Sequence, residues 1–458
     1  MTTTRLNCGS RNLPMRDGIM SSEARPTRAT GVSPRKRLTI CAIGEADSVH
    51  VATRIRCFAD MGHHVYLITP SPSRHGIAGV TELVPGFDAA LAYRGWRGAL
   101  ARGCRRIGGE TLCHLFRIVG FVRLLLRCRP DIVHVHYAYS LYGWAAGLLG
   151  CRPLVVTVMG GDVLFEEQGS PTPIGKWLTL ELLRKADYIT SKSHHLTEIL
   201  DGFGGFADKT ERILWGVPVE TFRRVDASSL RQLLGIVAQR RVILSPKILR
   251  PLYRVDLVVE AMVLVRESCP DAVLLLTEYM PDADYRGAIK RRIDELGLAE
   301  HVLFCGQVDH AEMPAYYSLA EICVAVPSSD GLPQTLLESM ACGTPNILSR
   351  LPRYEEIVRH EESAYFVEPN PADIGDGILR LLTDSALHRR ISDRAREIVY
   401  AEANLAEQAA RVEHRYQELA ATIRPAVMRP AALLAVWRSY RRGRGGPAAT
   451  PTVARLPS

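Results

Sequence analysis

The sequence predicts an α/β protein with two doubly wound parallel sheets that face each other across a cleft. The first observation is length, because 458 residues exceed what a single hydrophobic core organises. The second is that short apolar runs alternate with helical stretches of about 10 to 15 residues, a pattern typical of parallel sheets wound with helices. The third is that the alternation occurs in two series, which are joined near 215–226.

Each series opens with a strongly apolar run and continues with runs of the same kind. In the first, "RLTICAIG" (37–44) predicts a buried strand, "VHVATRIRCFADMG" a helix and "HVYLITP" (64–70) the next strand. Its later strands are predicted by "DIVHVHYA", "PLVVTVMGGD" and "ADYITSKS". The second series contains "RRVILSPKIL", "DAVLLLTEY", "HVLFCGQV", "EICVAVPSSD" and "TPNILSR", each followed by a helical stretch. The two series therefore predict two Rossmann-like domains.

The domain organisation follows from where these series begin and end. We expect a disordered basic tail over 1–36, a first domain over 37–217 and a second over 218–395. The helices of 396–423 have no strand partner and are expected to pack across the domain junction. A loosely ordered tail rich in Pro, Arg and Gly is expected over 424–458.

The charge balance bears on the partners of the protein. The chain has 57 basic and 49 acidic residues, a net charge of +8, and much of the excess lies in the tails, as in 33–37 and 437–446. This mild excess favours phosphate groups or an anionic membrane surface. Nucleic acid is not an expected partner, because no basic motif is interleaved with aromatic residues.

The eleven cysteines are odd in number and scattered, with no C-x-x-C pair. They are expected to be reduced core residues of a cytoplasmic protein. The sequence contains no run of 18 apolar residues and no apolar stretch of a signal peptide at its N-terminus.

Loops after parallel strands are where ligands bind, and the loop "SSDGLPQTLLE" (328–338) combines several features of a binding site. Gly331 suits a sharp turn and Pro333 the first turn of a helix, which leaves backbone N–H groups free for a phosphate. An ionised Glu338 can accept two hydrogen bonds at once, which matches the adjacent hydroxyls of a ribose. Asp330 can accept from the hydroxyls of a sugar. These features predict a nucleotide-sugar site, whose backbone donors would come from Leu332, Gln334 and Thr335.

Three cations follow the first strand of the second domain. Lys247 ends the strand, and Arg250 and Arg254 lie in the loop beyond it. Cations at a strand terminus suit a diphosphate, whose charge is costly to bury without partners. The alternative is that these residues are solvated loop charges.

The first domain offers weaker signals. The G-x-G-x-x-G fingerprint of a dinucleotide fold is absent after the first strand, although Gly44 allows a ligand to approach the backbone closely. His134 and His136 lie on one strand face, but no Asp, Glu or Cys nearby completes a metal site, so no metal is expected. Asp162 either caps the following helix or holds a ligand hydroxyl.

This arrangement resembles the donor site of family-4 glycosyltransferases, which have the two-domain GT-B fold. That family carries Glu, seven residues and Glu around a glycine-rich turn, followed by Ala-Met-Ala-x-Gly. Here the motif is "DGLPQTLLESMACGTP", with Asp330 in place of the first Glu. The resemblance extends over most of 38–400 and includes "DSVHVATRIRCFADMGHHVYLIT", "PDIVHVHYA", "VTVMGGD", "GVPVETF" and "FCGQVDHAEMPAYYSLAEICVAVPSS".

The resemblance implies a role for each matching residue. Glu338 would hold the ribose, Asp330 the transferred sugar, and the backbone of 331–335 the sugar and phosphate. Lys247 stands where the family usually has a diphosphate-binding Arg, and Arg250 or Arg254 would replace the missing partner Lys. Val308, with Gln307 and Asp309, would border the base. Met159 departs from the family, which often has a His at this position.

We therefore expect a glycosyltransferase that moves a sugar from a nucleotide-diphosphate sugar to a glycan, lipid-linked or small-molecule acceptor. Retention of configuration is expected, without a metal or another cofactor, with Lys247 and Asp330 in catalytic positions. His136 and Asp162 are the first-domain candidates for a general base if the product is inverted instead. The alternatives are a nucleotide-sugar epimerase of the same fold and a non-catalytic scaffold that binds nucleotide sugars.

A further expectation concerns membranes. The segment 102–129 combines arginines with Leu, Phe, Ile and Val, which suits reversible docking on anionic lipid at the inner face of the membrane. The alternative is that its apolar residues are buried in the core.

Overall fold

The structure is a computed structural model that describes 36–92, 113–165, 172–278, 281–330 and 332–427 of the chain. Gly331, 102–112 and most of both expected tails lie outside the described residues. Both sheets belong to one compact unit that begins at Arg37.

Seven parallel strands form the first sheet, in the order β3-β2-β1-β4-β5-β6-β7. Every residue of β4, β5 and β6 is buried, which explains why these strands are continuous apolar runs in the sequence. The strands are β1 Thr39–Ile43, β2 His64–Ile68, β3 Val80–Leu83, β4 Ile132–His136, β5 Leu154–Thr157, β6 Tyr188–Ser191 and β7 Thr210–Arg212.

The helices of the first domain follow its strands. Ser140, Thr172 and Ser193 precede three of them, and each side-chain oxygen accepts a hydrogen bond from the backbone N–H three residues later. The helices are α1 Val49–Asp60, α2 Gly86–Ala92, α3 over 113–128, α4 Leu141–Leu149, α5 Gly161–Leu164, α6 Pro173–Lys185 and α7 His194–Gly202.

The second sheet has six parallel strands in the order β10-β9-β8-β11-β12-β13. Its strands are β8 Arg241–Ser245, β9 Ala272–Leu276, β10 Val302–Phe304, β11 Ile322–Ala325, β12 Asn346–Ser349 and β13 Tyr365–Val367. Its helices are α8 Ser228–Leu233, α9 Val255–Ser268, α10 Ala283–Glu295, α11 Met313–Leu319, α12 Gln334–Ala341, α13 Pro352–Glu355 and α14 Pro371–Thr383. The predicted fold class is confirmed.

Strand order determines where a ligand fits in such folds. In each sheet the order reverses between the first and fourth strands, β1 and β4 in one domain and β8 and β11 in the other. The loops after these strands diverge to opposite sides of the sheet and leave a crevice at their carboxyl ends.

Two further helices follow the second sheet within the described residues, α15 Ser385–Glu402 and α16 Leu405–Thr422. The first packs against α12 of the second domain and the next against α1 of the first domain. The backbone N–H of Val217 donates to Ala403 at 2.8 Å, and that of Leu405 donates to Val217 at 3.0 Å. A Cβ at Gly216 would lie 1.7 Å from the Ala403 carbonyl oxygen, so only glycine fits here. The expected boundary at 395 lies inside α15.

Among the described residues, no helix has the length and apolar character needed to cross a bilayer.

Candidate active site

Lys247 and Asp330 meet at the crevice of the second sheet. Lys247 follows β8 and Asp330 follows β11, and these neighbouring strands flank the point where the strand order reverses. The Lys247 Nζ lies 2.7 Å from Asp330 Oδ2. The lysine side chain is 6% exposed and that of the aspartate 15%, so the ion pair is largely shielded from water. The structure therefore joins two site residues that the sequence assigned to different parts of a ligand.

The main chain and carboxylate of Asp330 are both anchored from α13. The Tyr354 hydroxyl donates to Asp330 Oδ2 at 3.1 Å, and Arg353 Nη1 donates to the Asp330 carbonyl at 2.6 Å. Burial, followed by the neighbouring carboxylate, raises the pKa of Tyr354. Asp330 therefore has a defined position before any ligand binds.

The helix after this loop begins one residue later than expected. Pro333 is the N-cap of α12, and Gln334 is its first helical residue. Leu332 is buried in the core of the domain, while Pro333, Thr335 and Lys247 border one narrow gap. Pro333 has no N–H group, so the backbone donors of this first turn are those of Gln334 and Thr335, which lack intrahelical partners. The side chain of Gln334 bonds to the chain near Gly216, since its Nε2 donates to the Gly216 carbonyl at 2.6 Å.

Glu338 lies deeper than a solvated helix face would allow. The residue is 2% exposed. The His310 Nε2 lies 2.7 Å from Glu338 Oε1, and the Tyr317 hydroxyl donates to Oε2 at 2.9 Å. A carboxylate has about four acceptor positions, so both oxygens keep capacity for a further donor. The sequence analysis did not predict His310 as a site residue, although it directly follows the stretch 307–309 that was expected to border the base.

The other second-domain candidates lie in loops. Arg250 is exposed and precedes the short 3₁₀ helix Pro251–Tyr253, and Arg254 is half-buried at a φ of 48°. Neither arginine has an ion-pair partner among the described residues. Val308 packs against the core of the domain.

Gly44 and His136 occupy the equivalent crevice of the first sheet. Gly44 follows β1, and His136 ends β4. A Cβ added at Gly44 would lie 3.2 Å from Val51 Cγ1 and 3.4 Å from His136 Cβ, so the glycine permits close packing here.

The two neighbouring histidines differ in their hydrogen bonding. His134 Nε2 lies 2.7 Å from Thr157 Oγ1, and its Nδ1 lies 2.5 Å from the Tyr416 hydroxyl oxygen. His136 is 1% exposed, and neither of its ring nitrogens has a hydrogen-bond partner among the described residues. Burial lowers the pKa of His136 well below its usual value, so its ring is neutral. The described residues contain no cluster of ligands that could hold a metal ion.

Asp162 is fully buried near the start of α5. Its carboxylate accepts hydrogen bonds from the backbone N–H groups of Ala138, Met159 and Gly160, at 2.7, 2.9 and 2.9 Å. Burial raises the pKa of Asp162. These three bonds connect the loop after β4 to the loop after β5.

Sequence reasoning also missed Arg54, a buried arginine of α1. It is 2% exposed, its guanidinium lies 5.0 Å above the Trp215 ring, and Nη1 contacts the Met159 sulfur at 2.9 Å. It lies on the same face of α1 as Val51, Ile55 and Phe58, at the i, i+3, i+4, i+7 spacing of a buried stripe, and this spacing is the sequence signal that could have identified it. The residue that departs from the family pattern, Met159, is therefore in contact with an unexpected cation.

Comparison with known proteins agrees with this geometry. The family model for "Glycosyltransferase Family 4" matches 48–221, and that for "Glycosyl transferases group 1" matches 226–398. The two matches correspond to the two sheet domains and define a GT-B glycosyltransferase. The chain belongs to the family-4 glycosyltransferases.

Two relatives and one solved structure are each similar to more than half of this chain. N-acetyl-alpha-D-glucosaminyl L-malate synthase of Bacillus anthracis is 26% identical over 275 residues, which cover 59% of this chain and 70% of that protein. D-inositol 3-phosphate glycosyltransferase of Jonesia denitrificans is 26% identical over 371 residues, with coverages of 76% and 85%. Sucrose-phosphate synthase of Thermosynechococcus elongatus has the same fold, with a TM-score of 0.67, 22% identity and coverages of 84% and 99%.

Proposed function

We propose that this glycosyltransferase moves a hexose from a nucleotide-diphosphate sugar to an acceptor and retains the configuration at the anomeric carbon. The observation that carries the proposal is the ion pair of Lys247 and Asp330 at the crevice of the second sheet. A diphosphate needs a nearby cation, and a sugar needs a group that accepts hydrogen bonds from its hydroxyls. Lys247 and Asp330 supply both, 2.7 Å apart.

The diphosphate binds beside Lys247. As the sugar–phosphate bond breaks, negative charge grows on the departing diphosphate. Lys247 lies beside the first turn of α12, so its ammonium and the N–H groups of that turn stabilise the charge electrostatically. Arg250 and Arg254, which have no carboxylate partner in the described residues, supply further positive charge from the adjacent loop.

Glu338 binds the ribose of the donor. Its two bonds to His310 and Tyr317 fix the carboxylate in one orientation while leaving acceptor positions unused. The base lies against the loop of Val308, which precedes His310 by two residues.

The reaction proceeds on one face of the sugar. The leaving phosphate takes the proton of the acceptor hydroxyl, which then bonds to the anomeric carbon as the bond to phosphate breaks. This route needs no covalent carboxylate nucleophile, unlike the carboxylate pair of retaining glycosidases. It also requires no metal, because Lys247 and the helix N-terminus provide the positive charge. His136 remains the first-domain candidate for a base, whereas Asp162 has a carboxylate already held by three backbone N–H groups.

The anomeric configuration of the product tests the route. An α-linked donor should give an α-linked product, which the anomeric proton coupling in an NMR spectrum distinguishes from a β-linked one. A β-linked product would rule out retention and would direct the search for a general base to His136 and Asp162.

The acceptor is a glycan or lipid-linked molecule reached from an anionic membrane. The exposed residues of α3 lie within about 120° of its circumference, given 100° per residue. They combine large apolar side chains with basic ones, a composition that suits docking on anionic lipid. They are Leu115, Phe116, Val119, Arg123, Leu126 and Arg127. Each cysteine in the described ranges is free, which supports a cytoplasmic location at the inner face of the membrane.

A further inference from the structure

Glu356 of the second domain lies at the N-terminus of α7, a helix of the first domain. Its Oε2 accepts a hydrogen bond from the backbone N–H of His194 at 2.7 Å, and its Oε1 accepts one from that of His195 at 3.1 Å. The Ser193 hydroxyl accepts from the next N–H, that of Leu196. The first three N–H groups of α7 therefore all have acceptors, two of which the other domain supplies. A carboxylate suits this position, because a helix N-terminus carries partial positive charge.

An arginine of the first domain also lies close to this carboxylate. Arg212 ends β7, and its Nε lies 4.0 Å from Glu356 Oε2. That nitrogen is buried and has no hydrogen-bond partner among the described residues. At this distance the two charges attract each other, but the separation is too long for a hydrogen bond. A movement of about 1 Å between the domains would give the arginine its missing acceptor.

Glu356 directly follows α13, the helix that holds Asp330. Arg353 of this helix donates to the Asp330 carbonyl at 2.6 Å, and the Tyr354 hydroxyl donates to its carboxylate at 3.1 Å. Because protein interiors are close-packed, a displacement of Glu356 is passed on to Tyr354, which has no exposed surface. One turn of backbone therefore joins the contact with the first domain to the contact with Asp330.

We propose that Glu356 is a positioning residue that couples closure of the two domains to the orientation of the Asp330 carboxylate. The inference rests on the proposed function and adds to it a residue that acts through Asp330 rather than on the substrate. As the domains close, Arg212 gains its bond to Glu356, and α7 and the arginine together hold the glutamate charge. Tyr354 and Arg353 then fix Asp330 where it accepts from the hydroxyls of the sugar. Separation of the domains would leave Arg212 and two N–H groups of α7 without this acceptor.

Hydrogen exchange tests the contact itself, without any substrate. Glu356→Gln keeps one oxygen acceptor but removes the charge and the second acceptor. The amides of His194 and His195 should then exchange about tenfold faster or more, while those in the interior of α7 keep their wild-type rates. Glu355→Gln is the matched control, because it makes the same change one residue earlier, at a glutamate paired with Arg350 of its own domain. It should leave the exchange of both amides unchanged.

Steady-state kinetics test the coupling to Asp330. Glu356→Gln should lower kcat by about tenfold, the scale of a small misplacement of a reacting group, and leave the affinity for nucleoside diphosphate unchanged. In the Asp330→Asn background the same substitution should lower kcat by less than about twofold, because the carboxylate through which it acts is already absent. A residue with only a structural role would lower kcat by the same factor in both backgrounds.

Four results would overturn the proposal. Two concern exchange: wild-type rates at His194 and His195 in Glu356→Gln, or faster exchange throughout α7, which would indicate a general loss of stability. Two concern kinetics: an unchanged kcat in Glu356→Gln, or an equal loss of kcat in the two backgrounds. In a protein without transferase activity the proposed function fails, and the exchange rates alone decide whether Glu356 holds the two domains together.

Discussion

Lys247 Nζ and Asp330 Oδ2 lie 2.7 Å apart, so the two opposite charges neutralise each other. The second oxygen of Asp330 and the remaining N–H groups of Lys247 stay available for a ligand. A donor that places its diphosphate by the lysine and its sugar by the aspartate would therefore find both groups already oriented. This relationship makes the pair testable by single and double substitution.

Lys247→Ala should lower turnover by roughly 10²-fold or more, the scale for losing one preorganised group that stabilises developing charge. Transfer or slow donor hydrolysis is the measurement, and Lys290→Ala is the control for loss of a lysine elsewhere. An unchanged rate in Lys247→Ala would show that the leaving group is stabilised by other residues.

Asp330→Asn should lower turnover less than Lys247→Ala and should mainly change which sugar is accepted. The asparagine keeps an acceptor for the Tyr354 hydroxyl but no longer neutralises Lys247. The double variant should lose less than the product of the two single losses, because both substitutions break one ion pair. If the loss of turnover in the double variant equals the product of the two single losses, the two residues act independently.

Glu338→Gln should weaken nucleotide binding by about 1 to 3 kcal/mol, the range for a charged hydrogen bond lost in a desolvated site. Glu397→Gln is the matched control, since it makes the same change at a glutamate whose side chain is 65% exposed. It should leave both the stability and the nucleotide Kd nearly unchanged. If Glu338→Gln destabilises the free protein and leaves binding intact, the glutamate is structural.

The lowered pKa of Lys192 implies that the stability of the protein depends on pH. Its pKa is about 7 in the folded protein and is lowered from 10.5, mainly by burial. Between these two values the unfolded lysine binds a proton that the folded one does not, so the free energy of unfolding should rise with pH in this window. Relative to Lys192→Met, the wild type should gain stability from pH 7 to 10 in chemical denaturation. Parallel curves for the two proteins would contradict the shift.

Docking of α3 on membranes predicts salt-sensitive flotation with anionic vesicles. Leu115→Gln with Leu126→Gln should reduce vesicle binding by about 1 kcal/mol or more per leucine, because these side chains are 55% and 50% exposed and available to lipid. Leu233→Gln with Val237→Gln, at exposed apolar positions of the second domain, is the control. If the wild type does not float with anionic vesicles at low salt, membrane docking is contradicted.

The fold could be predicted from the sequence because its central strands are buried on both faces and therefore apolar throughout. The strands that escaped prediction are β3, β7 and β13, with the sequences "VTEL", "TER" and "YFV". All three lie at sheet edges, where strands are short and need not be apolar.

The site was partly predictable for a related reason. Lys247 and Asp330 lie in loops after strands, and Glu338 lies in the helix that follows one of these loops. The alternation of strands and helices in the sequence shows where such loops fall. Arg54 and Lys192 are polar residues that tertiary packing buries, although Arg54 shares its helix face with Val51, Ile55 and Phe58, and Lys192 directly follows a fully buried strand.

Titration of nucleotide sugars into the wild type and Lys247→Ala tests whether the second domain binds a nucleotide-diphosphate sugar through Lys247. UDP-, GDP- and ADP-sugars are titrated by calorimetry, with Lys290→Ala as the control. We expect at least one donor to bind the wild type and the control alike, and to bind Lys247→Ala at least about tenfold more weakly. Equal affinity for all three proteins, or no binding of any donor to the wild type, would contradict it.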